Sequence, residues 1–108
     1  MGKITACLAL GVALITIAIA QPGFASPAAT PSYNIAAYCS RVADAVGGSY
    51  VIEKSCRDEE RNAMSEIMRR QIPARIRGYC DRVAKAVGGS YVIFSGCVDQ
   101  ELEAASSL

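Results

Sequence analysis

The chain has 108 residues, 52% of them apolar, with five cysteines, no histidine and a formal net charge of +1. Without histidine there is no Ser-His or Cys-His nucleophile pair and no haem attachment through Cys-x-x-Cys-His, and the commonest general base and metal ligand is missing. A nearly neutral chain has no global attraction for nucleic acid or for an anionic membrane.

Lys3 forms a minimal positive region, residues 4–20 are an uncharged apolar run, and two small-residue cleavage sites follow, ending at Ala20 and Ala25. The pattern predicts a cleavable export signal over residues 1–25, cut after Ala20 or Ala25. An uncleaved anchor is the rival, because a bilayer span needs roughly 17 to 25 apolar residues and this run sits at the lower edge. Pro22, Gly23 and the small residues beside them favour cleavage. Cys7 leaves with the signal, so four cysteines remain, the even count of a disulfide framework in a short exported chain. Lys3 leaves as well, and ten Lys/Arg then balance ten Asp/Glu. A single core in so short a chain supplies only about 3 to 5 kcal/mol, which makes covalent staples valuable.

Residues 26–34 (SPAATPSYN) have no apolar period and read as a flexible leader. From Ile35 the spacing of Cys39, Val42, Ala43 and Val46 predicts a helix with one buried face, with Asn34 as its N-cap and Gly47 and Gly48 as its stop. Ser49 caps a second helix whose apolar line is Ile52, Cys56, Ala63 and Ile67, with Met64 and Met68 alongside as core filler. That helix is expected to end near Gln71, before Pro73. A third helix runs from Pro73 to Val87 with Ile76, Cys80, Val83, Ala84 and Val87 inward, and a fourth from Tyr91 to Ala105, weakened at Gly96.

Residues 35–60 and 76–101 align without a gap at 17 of 26 positions. The chain is therefore two repeats, residues 35–71 and 72–108, each a helical hairpin. Cys39 lies eight residues before Gly47 and Cys56 eight after Gly48, and Cys80 and Cys97 repeat this about Gly88 and Gly89. Folding back at the glycines brings each pair face to face, with Cα atoms about 4.5 Å apart for helices packed at about 9 Å, near what a disulfide needs. The expected pairing is Cys39 with Cys56 and Cys80 with Cys97, each closure contributing about 3 kcal/mol. A four-thiolate zinc site is disfavoured because the members of each pair are too far apart in sequence. The fold class is all-α, two tandem stapled antiparallel hairpins packed as a small four-helix unit.

Candidate sites are few, and no metal or cofactor is implied. Asp58, Glu59 and Glu60 cluster, and Asp58 and Glu60 recur as Asp99 and Glu101; their spacing reads as a solvated helix face, not as catalytic carboxylates. Arg69, Arg70, Arg75, Arg77 and Arg82 gather around the link between the repeats as a candidate anion-binding patch, against which stands the simpler reading of a helix C-terminus complemented by cations. The copies diverge where Glu53, Arg57 and Arg61 become Phe94, Val98 and Leu102, a stripe extended by Ala105. Such a second apolar stripe has to be covered. Docking on the first hairpin is the first expectation, a homodimer or partner surface the second.

The doubled signature Tyr-Cys-x-Arg-Val-Ala-x-Ala-Val-Gly-Gly-Ser-Tyr, followed by cysteine and acidic residues, covers residues 38–60 and 79–101. In this it resembles small exported proteins of alphaproteobacteria. The resemblance implies a periplasmic or secreted location and carries over no catalytic or binding residue. The residues themselves favour a non-catalytic exported interaction or structural protein, a binder or inhibitor of another protein. The alternative is a membrane-active pair of amphipathic hairpins, which the absence of net charge disfavours.

Overall fold

The computed structural model describes residues 30–108. The expected export signal and the first residues of the expected leader lie outside the described residues. Four helices follow one another: α1 (Ile35–Ala45), α2 (Tyr50–Met68), α3 (Ala74–Ala86) and α4 (Tyr91–Ser106). Three begin on a side-chain cap. The Asn34 carboxamide accepts from the amide of Ala37, Ser49 from Ile52 and Ser90 from Ile93, satisfying donors that have no partner within the helix. Helix α3 instead starts behind Pro73, which needs no donor there.

The turns within the two hairpins are the same motif. Gly47 donates to the carbonyl of Asp44 and Gly48 to that of Ala43; Gly88 donates to Lys85 and Gly89 to Ala84. These are the two bonds of a Schellman cap, and all four glycines have positive φ. The chain reverses immediately after each cap, so α1 packs on α2 and α3 on α4. Cys39–Cys56 and Cys80–Cys97 are bonded, each with Cα atoms 5.6 Å apart. Two antiparallel hairpins, each stapled to itself, are thus the architecture.

The hairpins join along α2 and α4. Glu60 sits beside Ser90 and Tyr91, and Arg70 pairs with Asp99 at 2.9 Å, so the two central helices run parallel. Tyr91 faces Glu60, ten residues beyond its own repeat counterpart Tyr50. The second hairpin is therefore displaced along the first by about 15 Å, at 1.5 Å per helical residue. The core lies in this seam. Phe94 and Val98 are wholly buried there with Ala63, Ile67, Ile76, Cys80, Ala84 and Tyr91.

The displacement explains where the burial differs from the apolar period. Ile52 is exposed although it lies on the expected inward line of α2; Met68, expected alongside that line as core filler, is exposed as well, in the last turn of the helix. The first turns of α2 have only α1 beside them, because α4 begins alongside Glu60. Val46 and Val87 are exposed because each occupies the C-cap, where the helix gives way to the glycine turn. Ile93 is likewise partly open to solvent. Gly96 does not interrupt α4.

The leader also differs from expectation at its end. Tyr33 packs its ring 4.8 Å from that of Tyr91 and 6.4 Å from that of Phe94. Its amide donates to the Tyr91 hydroxyl, and its own hydroxyl donates to Asp81 at 2.7 Å. The aromatic ring supplies apolar area that the short hairpins lack, and both polar ends are satisfied.

Candidate functional site

The seam is built around a buried carboxylate. Glu60 is 2% exposed and accepts a hydrogen bond from the Ser90 hydroxyl at 2.5 Å and another from the Tyr91 amide at 2.6 Å. Both donors stand at the N-terminus of α4, where the helix dipole favours negative charge. Ser90 in turn accepts from Ile93, which completes the cap. Glu60 is thus a cross-hairpin capping residue and not part of a solvated acidic face. Its position in phase with Cys56, Ala63 and Ile67 was the available sign, an acid on the apolar line of the helix. Asp58 and Asp99 do lie on the surface, where they pair with Lys54 and Arg70.

A second cross-hairpin contact reads the same turn. Arg41 of α1 donates to the carbonyl of Gly88 at 3.0 Å. Hairpin one therefore holds the turn of hairpin two at two points, a carbonyl taken by a guanidinium and a helix N-terminus taken by a carboxylate. The apolar complement is Tyr91, Phe94 and Val98 against Ala63, Met64 and Ile67.

The five arginines around the link do not converge. Arg70 is committed to Asp99, and Arg77 donates to the carbonyl of Ile72 at 2.9 Å. Arg82 lies 6.0 Å from the Tyr79 ring centre, a cation-π contact at the edge of its range. Arg75 and Arg82 share one groove, Arg77 faces another with Asp81 and Lys85, and Arg69 is an exposed C-cap. The Asp81 carboxyl is desolvated, which would raise its pKa. The Tyr33 hydroxyl and the Lys85 ammonium outweigh that and hold it below the ordinary carboxylate value. Tyr33 is pushed well above the ordinary phenol value, first by burial and then by its bond to Asp81.

One concave surface carries both arginine and apolar side chains. It lies between α3 and the end of α4, and Ile76, Tyr79, Arg82, Glu101, Leu102 and Ala105 contribute to it. Leu102 is half-buried against the core, while Ala105 is exposed. Of the divergent stripe, then, Phe94 and Val98 are consumed inside the molecule, and Leu102 and Ala105 remain within reach of solvent. The four cysteines Cys39, Cys56, Cys80 and Cys97 are all in disulfides, which fits an oxidising compartment. Among the described residues no helix is long and apolar enough to cross a membrane. No family model, curated protein or solved structure matches this chain.

Proposed function

We propose that this protein is a non-catalytic interaction or structural protein of an exported compartment, periplasmic or secreted. The observation that carries this reading is the groove of Tyr79, Arg82, Glu101, Leu102 and Ala105, an apolar surface with charged edges on a scaffold stapled twice. A rigid surface loses little conformational freedom on association, which is where small stapled domains gain affinity. Among the described residues the deeply buried carboxylate, Glu60, is occupied as a cap, so its environment is accounted for by structure without invoking chemistry.

The test is capture from a periplasmic extract on oxidised protein, with an Ala105→Arg variant and a reduced sample as controls. Binding that is lost in both controls supports the reading. Equal capture by wild type and Ala105→Arg contradicts the assignment to the groove. A second reading, contact with lipid, is favoured by the exposed tip of hairpin one, where Val46, Tyr50 and Val51 are 60%, 87% and 78% accessible. Cosedimentation with anionic vesicles at low salt tests it; protein left wholly in the supernatant removes it.

A further inference from the structure

The seam between the hairpins joins two unlike surfaces, and duplication has made each of them twice. The surface that grips is Arg41, Glu60, Ala63, Met64 and Ile67 on hairpin one. The surface that is gripped is the turn of hairpin two, Gly88, Ser90 and Tyr91, with Phe94 and Val98 behind it. One repeat further on, the gripping residues are Arg82, Glu101, Ala104, Ala105 and Leu108, all of which line the groove described above. One repeat earlier, the gripped turn is Gly47, Ser49 and Tyr50, with Tyr50 87% exposed where Tyr91 is 4% exposed. An interface of unlike halves does not close on itself, so each chain keeps one free half of each kind.

We propose that a second copy of this chain occupies the groove, head to tail. The turn of hairpin one of one copy sits between α3 and α4 of the next, with Glu101 accepting from Ser49 and the Tyr50 amide and Arg82 donating to the Gly47 carbonyl. This rests on the reading of the groove as a binding surface and names its occupant. The internal seam is the template, since the same Arg, Glu, Gly, Ser and Tyr positions already make this contact once within the chain. On the gripping side Ala105 and Leu108 replace Met64 and Ile67, and on the gripped side copy one departs from the template behind its turn. Glu53 and Arg57, paired at 2.5 Å, stand where copy two buries Phe94 and Val98. The contact between copies therefore lacks most of the apolar area of the seam and is weak, which restrains the open-ended growth that a heterologous interface otherwise permits.

The experiment is sedimentation equilibrium of the oxidised full chain from about 10 μM to about 1 mM, with no other protein present. The expected result is a wild-type mass that rises with concentration, and a Glu53→Phe/Arg57→Val variant that assembles at least tenfold more tightly. Tyr50→Arg on the turn or Ala105→Arg in the groove, both at exposed positions, then returns the assembling variant to monomer with its thermal melt preserved. A wild type and a Glu53→Phe/Arg57→Val variant that both stay monomeric throughout overturn the proposal, as does assembly indifferent to Tyr50→Arg and Ala105→Arg. Groove-dependent capture of a different protein alongside a strictly monomeric chain would overturn the self-association and leave the binding reading in place.

Discussion

Glu60 and Glu101 occupy the same repeat position and have opposite fates, which makes them a matched pair for measurement. Glu60 accepts two bonds in the buried seam, and Glu60→Ala strands the Ser90 hydroxyl and the Tyr91 amide. Hydrogen bonds to a charged group contribute about 1.5 to 3 kcal/mol each, so a loss of about 3 kcal/mol in urea unfolding is expected. Glu101→Ala, with no such partners, is expected to stay within about 0.5 kcal/mol of wild type. Asp81 gives a pH signature. Its pKa is lowered in the folded state, so its contribution is complete above the ordinary carboxylate value of about 3.9 and is lost as pH falls through the depressed value. Melting temperatures between pH 5 and pH 2 are therefore expected to fall less steeply in Asp81→Asn than in wild type. Tyr33, raised, works in the other sense: its contribution is full below about pH 10 and is lost at higher pH.

The elements were largely legible in the sequence because a hairpin is a local object. Equal spacing of cysteines about a glycine pair fixes which faces meet, and the caps at Asn34, Ser49 and Ser90 are in the chemistry of those side chains. Periodicity says which face of a helix is apolar, but not how far along it a neighbour extends. That is why Ile52 on the inward line of α2 is exposed, and why Glu60 on that line is buried. Tyr33 could not be read from a period at all, since a single aromatic in a Pro, Ala and Ser rich segment has none.

The turns offer a test at this scale. Gly47 and Gly88 share a positive φ, and alanine at either incurs about 1 to 2 kcal/mol of backbone strain. A Cβ on Gly88 would also lie 2.6 Å from the Arg41 guanidinium, whereas one on Gly47 meets nothing within 4 Å. Gly88→Ala is therefore expected to lose more stability than Gly47→Ala, by about 1 kcal/mol for the displaced Arg41 bond. In an Arg41→Ala background the two are expected to become equal.

At the scale of the whole molecule, two nearly identical hairpins pack by displacement and not by a twofold axis. The divergence of Phe94 and Val98 from Glu53 and Arg57 follows from this arrangement. Only the second hairpin presents its turn to a neighbour within the chain, so only it needs an apolar stripe behind that turn. Of the signature residues kept in both copies, the cysteines and glycines close each hairpin, while Arg41 and Glu60 hold the second turn and join the two hairpins.

Amide hydrogen exchange at Tyr91 and Tyr50, measured by NMR on dilute oxidised protein, tests this displaced packing most directly. Both amides open a helix and lack an intrahelical acceptor. Slow exchange is expected at Tyr91, whose N–H is held by buried Glu60, and exchange near the unprotected rate at Tyr50. Equal, fast exchange at both tyrosines would contradict this packing.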